Sequence, residues 1–228
     1  ELRRGPLCDH HLVKGGALWV DERGFARGIC GDGLHELRLE DMARRKVHPL
    51  PEPSQSDDAP DMAAVGTGQI AIGSRSGKIV VRDRESFAVV SEHTLDGPGD
   101  LRAMVFAADG TLAVSRRGQP TVLVRDGKVA VYATAPIEHG VFAFSADSAR
   151  AFVVPRYFQA GELIVAEGLV RGESRISSWL TQARYLDDTV VAATGAHGLA
   201  LFDVRRATQR ELDDDAGEGL AVRADGAM

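Results

Sequence analysis

"RAMVFAADGTLAVS" (Arg102–Ser115) decides the fold. Apolar residues alternate on either side of Asp109-Gly110, and a period of two is the mark of a strand with one face turned inward. Asp-Gly between two such runs signals a hairpin. The pair suits a type I′ turn, in which both central residues take positive φ. Versions of this unit recur as "ALWVDERGFARGI" from Ala17, "MAAVGTGQIAIG" from Met62, "VFAFSADSARAFVV" from Val141 and "ARYLDDTVVAAT" from Ala183. "LAVRADGAM", from Leu220, begins another. The second turn residues fall at Gly24, Gly68, Gly110, Ser148, Asp188 and Gly226, in steps of 44, 42, 38, 40 and 38 residues.

A second marker keeps step with the first. After each hairpin an apolar run ends in an acid: "LHELRLED", "KIVVRD", "TVLVRD", "ELIVAE" and "LALFD", closing at Glu40, Asp83, Asp126, Glu167 and Asp203. A further run follows each: "KVHPL", "FAVVSEHTL", "KVAVYATA", "RISSWL" and "TQREL". Each period therefore holds four short strands. No segment sustains the i, i+3, i+4, i+7 spacing of a helix, and the nearest candidate, Leu39–Lys46, starts inside a strand pattern. An all-β chain with a four-strand period of about 40 residues reads as a β-propeller of four-stranded antiparallel blades. The expected units are 17–61, 62–101, 102–140, 141–182 and 183–219, with a partial sixth at 220–228, all in one domain over 1–228. Five blades and the start of a sixth imply a ring incomplete in this chain, closed by further sequence or by a second chain. Leu7–Val13 is a candidate outer strand of a neighbouring blade.

"GTGQIAIGSRSGKIVV" (Gly66–Val81) offers a competing interpretation as a phosphate-binding loop. That loop needs four residues between its glycines and a hydroxyl after its lysine. Here three residues separate Gly73 from Gly77, and Ile79 follows Lys78. The stretch is expected to be a hairpin. "LPEPSQSDDAPD" (Leu50–Asp61) is linker-like and lengthens the first step.

The balance of residues excludes several functions. Hydrophobic residues make up 44% and charged residues 26%, a globular rather than a disordered balance. A net charge of −6 opposes nonspecific nucleic-acid binding, which draws on cationic surface. No apolar run approaches the roughly 20 residues of a membrane-spanning helix. Two cysteines are too few for a disulfide framework in 228 residues and leave the compartment open, with the cytoplasm as the default.

At His93–Asp126 the chain resembles the WD-repeat propellers, whose unit runs from a turn through an inner strand and an Asp-Gly hairpin to a strand closed by Trp-Asp. Here "FD" (Phe202–Asp203) and "RD" (Arg82–Asp83, Arg125–Asp126) stand at that close, and the Gly-His pair before the inner strand is missing. The resemblance implies the propeller fold but not the side-chain network those residues build.

Each candidate site also admits a plainer role. Cys8, His10, His11, Cys30 and His35 are metal-ligand types, but Cys8-x-His10 is tighter than the usual zinc spacing, so no metal is expected. Glu211–Gly219 lacks the alternating ligands of a calcium loop. Asp187-Asp188 occupies the hairpin slot, where Asp favours the turn. Arg84, Arg116, Arg117, Arg205 and Arg206 recur near strand ends and could form a basic rim. The expected function is a noncatalytic scaffold for a protein partner, with Tyr157 and Phe158 in the enlarged turn "PRYFQAG", Trp179, Arg116 and Arg117 as contact candidates. No catalytic residue, cofactor, nucleic acid or membrane is expected. The alternative is a propeller enzyme, a metal-dependent hydrolase or lactonase with its site in a central channel. It would need polar ligands on inner strands, which here read as apolar.

Overall fold

The computed structural model describes residues 3–4, 7–8, 18–21, 23–50, 59–97, 99–136, 141–156, 159–167, 169–176, 180–195 and 198–213. These contain strands and turns and no helix. The first sheet holds β1 (Arg3–Arg4), β2 (Leu18–Val20), β3 (Phe25–Cys30), β4 (Gly33–Arg38) and β5 (Ala43–Pro49). β6 (Pro60–Val65), β7 (Gln69–Ser74), β8 (Lys78–Asp83) and β9 (Val89–Thr94) form the second. In the third are β10 (Leu101–Phe106), β11 (Leu112–Arg116), β12 (Pro120–Arg125) and β13 (Lys128–Pro136). β14 (Phe142–Phe144), β15 (Arg150–Arg156), β16 (Gln159–Ile164) and β17 (Leu169–Arg175) make the fourth. The fifth contains β18 (Leu180–Tyr185), β19 (Val190–Gly195), β20 (Gly198–Asp203) and β21 (Thr208–Asp213). From β2 onward each sheet is an antiparallel meander in chain order, the arrangement of propeller blades.

Burial is highest in the middle strands and falls toward the last. The second strands β7, β11 and β19 are buried at almost every position, so both faces are covered. This is why they read as continuous apolar runs such as "LAV" and "VVAA" rather than as strict alternation. The fourth strand β9 is exposed or half-exposed throughout.

The chain forms two compact units, Glu1–Leu101 and Arg102–Met228. In the first, Trp19, Ile29 and Leu34 of the first sheet pack on Ala63, Ile70, Ile72 and Phe87 of the second. In the second unit the fourth sheet is covered on both sides. Phe142, Ala151, Val153 and Leu163 meet Ala103, Ala113 and Leu123 of the third sheet. The alternate residues Ala143, Phe152, Val154 and Ala160 meet Val191, Ala193, Ala200 and Phe202 of the fifth. Phe152 and Phe202 stack at 5.1 Å between ring centres.

Several details depart from the sequence reading. The first sheet has five strands, because Arg3 and Arg4 pair with Arg44 and Ala43 on its outer edge. The added strand is thus Arg3–Arg4; Leu7 and Cys8 are not in a strand, and 9–13 lie outside the described residues. In the fourth sheet the last strand is Leu169–Arg175, not "RISSWL", since Leu163 pairs with Val170 and Ile164 with Leu169 immediately after the turn. The expected enlarged turn "PRYFQAG" is mostly strand, with Arg156 paired to Gln159 across a register shift. Gly66–Val81 is a hairpin, with Gly77 left-handed at φ 87° in its turn. Leu39–Lys46 is turn and strand. Of the linker-like stretch, Pro60 and Asp61 already belong to β6, and 51–58 lie outside the described residues, as does the partial unit 220–228.

The Asp-Gly turn at Asp109-Gly110 is not type I′. Ala107 N–H donates to the Thr111 carbonyl at 2.8 Å and Gly110 N–H to the Ala107 carbonyl at 3.1 Å. Within the turn only Gly110 is left-handed, at φ 84°. This is a three-residue loop, a type I turn completed by a left-handed glycine. The type I′ turn is at Asp126-Gly127, where φ is 49° and 70° and Arg125 pairs with Lys128.

Candidate functional site

The sequence-derived contact candidates are dispersed. Tyr157, Phe158 and Trp179 lie outside the described residues. Arg116 ends β11 with its side chain buried at 4% exposure, whereas Arg117 is exposed in the following turn. Strand alternation separates the two: neighbours point to opposite sides, and only the turn residue escapes the covered sheet. Arg205 and Arg206 are exposed, and both donate backbone N–H groups to Asp203 Oδ1. Arg84 is half-buried and donates from its guanidinium to the Gly66 carbonyl at 3.3 Å. Asp187 accepts backbone N–H bonds from Thr189 and Val190 at 2.6 and 2.8 Å, the hairpin role expected of it.

Two charged networks lie within the units. Arg27 (5% exposed) reaches buried Glu36 (2%) at 2.7 Å and Asp21 at 3.3 Å, and Arg45 closes on the other Glu36 oxygen at 2.8 Å. In the second unit Tyr185 Oη donates to Glu162 at 2.9 Å, and Arg150 pairs with the same carboxylate at 3.4 Å. Burial and the Glu162 charge push the Tyr185 phenol far above its ordinary value, so it remains a donor. The first network pairs charges that strand packing has buried and the second pairs half-buried ones, with Glu162 and Tyr185 joining the fourth sheet to the fifth.

A third group combines several reactive residue types. Cys30 closes β3, Asp32 occupies the turn and His35 lies on β4. Gly28 pairs with His35 and Cys30 with Gly33, so Cys30 and His35 share one face of the sheet. Trp19, Ile29 and Leu34, which pack on the second sheet, occupy the opposite face. Cys30 is in a disulfide with Cys8. His35 is 4% exposed; its Nε2 lies 2.8 Å from Asp32 Oδ1, while Lys46 Nζ is 2.7 Å from Oδ2. Burial raises the Asp32 pKa, but the hydrogen bonds and charges of Lys46 and His35 outweigh it, and the carboxyl ends below its ordinary value. Gly33 permits the tight corner: its φ is 154°, and a Cβ there would come within 2.3 Å of the His48 carbonyl oxygen.

The sequence pointed to Cys8, Cys30 and His35 by residue type, yet not to this grouping. The disulfide spans 22 residues, and Asp32 carries no mark in the sequence that sets it apart from other turn aspartates. Cys30, Asp32 and His35 form the one set of potential metal ligands gathered together among the described residues, and it lies at a turn rather than on an inner strand.

No known family pattern matches the sequence, and neither does any curated protein. Its similarity to solved structures is one of shape. A chain in the crystal structure of a mitotic checkpoint complex aligns with a TM-score of 0.65 at 14% identity, over 88% of this chain and 64% of that one. The chain thus spans less than two thirds of the protein it is compared with. At that identity the likeness establishes fold and not role. In all, 1419 solved chains match, so the fold is too common to select a function. The chain has the all-β architecture of a β-propeller.

Proposed function

We propose that the chain is a noncatalytic scaffold, a diverged WD-repeat-like propeller whose edges and turns receive a protein partner. The observation behind this reading is where apolar surface remains uncovered. Val47 on β5, Val89 and Val90 on β9, Val129 on β13 and Leu212 on β21 are all large, apolar and more than 40% exposed. Each belongs to the last strand of its sheet's meander, while Leu18 and Val20 on β2 and Leu39 and Met42 in the β4–β5 turn are exposed as well. Outermost strands offer unpaired backbone groups, and an extended segment can add to them with apolar contacts alongside. The chain itself does this once, laying Arg3–Arg4 along β5. The solved neighbour belongs to a multiprotein assembly, which is compatible with a binding role.

In this reading Arg117 and, by sequence, Tyr157, Phe158 and Trp179 contribute contacts, aromatic and arginine side chains being the usual anchors of interfaces. Partner capture by the full chain is compared with capture by V89E/V90E, R117E and Y157A/F158A, each first shown to melt like the parent. The scaffold reading expects one protein to bind stoichiometrically and at least one of these variants to lose it. Turnover of ester or lactone substrates dependent on a stoichiometric metal would contradict it and favour the enzyme alternative.

A further inference from the structure

We propose that reduction of the Cys8–Cys30 disulfide creates a zinc site made by Cys8, Cys30, Asp32 and His35, so that a metal replaces the disulfide as the clasp holding the N-terminal segment to the first sheet. Cys30, Asp32 and His35 each offer one ligand atom, and these atoms lie within 4.8 Å of one another. Ligands about 2.0–2.3 Å from a tetrahedral zinc are separated by roughly 3.3–3.8 Å, so small side-chain rotations close the set. The Cys8 sulfur lies beside that of Cys30 in the disulfide, and once released it would have to turn toward Asp32 and His35 to supply the fourth donor.

The imidazole adds an independent observation. His35 is buried, and its Nδ1 has no hydrogen-bond partner among the described residues. A buried ring nitrogen left without a partner costs free energy, and ligation through Nδ1 would supply one. Lys46 holds one Asp32 oxygen, and the other faces His35. Two thiolates, an imidazole and a carboxylate are a donor set suited to zinc. While the disulfide is intact, neither sulfur is a thiolate and the set is incomplete.

The redox step is a thiol–disulfide exchange with a dithiol reductant. Its thiolate attacks one sulfur of the disulfide, the Cys8–Cys30 bond breaks, and the reductant leaves as its own disulfide after passing two electrons. Zinc then binds both thiolates with release of two protons. The N-terminal segment would thereby remain fastened under both oxidising and reducing conditions.

The test uses the full chain, reduced with a phosphine, freed of metal and titrated with Zn²⁺ against a chromophoric chelator, and in parallel with Co²⁺. The proposal expects one equivalent bound by the reduced protein, a sulfur-to-cobalt charge-transfer band, and no binding at that site by the oxidised protein. Asp32→Asn and His35→Ala should each weaken zinc by at least about tenfold. Cys8→Ser should abolish tight binding, and it perturbs only the terminal segment if Cys30→Ser fails to fold. Equal zinc affinity in oxidised and reduced protein, or in parent and His35→Ala, would overturn it.

Discussion

Asp109-Gly110 and Asp126-Gly127 are the same dipeptide in the first and third hairpins of the third sheet and adopt different turns, because one loop has three residues and the other two. Gly110 has open space where a Cβ would go, so Gly110→Ala should lose stability through backbone strain alone, by about 1–2 kcal/mol. A urea midpoint equal to the parent's would refute that. The aspartates act as turn caps. Asp187 is held below the ordinary carboxylate value, chiefly by the Thr189 and Val190 N–H groups. Asp147 is lowered by the Ser145 hydroxyl and the Ala149 N–H. For Asp109, burial raises the value and the Thr111 hydrogen bonds more than offset it. Since each folded pKa lies below its unfolded value, the stabilisation is fully present above about pH 4 and is lost as pH falls through the folded values. Melting temperatures recorded downward from about pH 6 should therefore drop below about pH 4. The drop should be shallower in Asp187→Asn, and an identical slope in that variant would count against the capping role. The acids at or just after the end of each third strand were legible as a repeat marker, and for two of them the chemistry explains why. Asp83 and Asp203 each accept two backbone N–H groups from the turn that follows. What the sequence did not show was which turn each Asp-Gly makes, since that depends on how many residues the opposing strands leave unpaired.

At the level of strands and sheets, the legible signal was apolar alternation, and it was strongest where a sheet is covered on both faces. Phe152 is 1% exposed and packs against Phe202 in the next sheet. Phe152→Ala should cost about 3–5 kcal/mol, read as a fall in the denaturant midpoint with the slope unchanged. A cost below about 1 kcal/mol would mean that the fourth and fifth sheets do not share this core. Strand assignment failed at "RISSWL" because its apolar residues belong elsewhere: Ile176 and Leu180 fill the core between sheets from a connection and from the next first strand. Apolar spacing cannot separate a buried connection from a strand. Pairing register can, and Gly161 marks it, since a Cβ there would sit 2.6 Å from Val170 Cγ1. The cysteine group was hidden for a related reason. Its members come from the terminal segment, a strand end, a turn and the next strand, and only the β3–β4 register brings the last three together.

Over the whole molecule, five antiparallel sheets in chain order account for the period near 40 residues, and the likeness to a solved chain at a TM-score of 0.65 agrees with the propeller architecture. Function is less legible, because a propeller's specificity resides in turns and outer edges, where packing places few demands on residue type. Each period is one sheet protected from within and exposed at its last strand. Residue-resolved amide hydrogen exchange on the intact chain tests it most directly. The slowest exchange is expected in β3, β7, β11, β15 and β19 and their third-strand partners, with much faster exchange in the outward half of β9, repeating about every 40 residues. Protection that ignored this period, or uniform protection through a continuous stretch such as Leu39–Lys46, would contradict it.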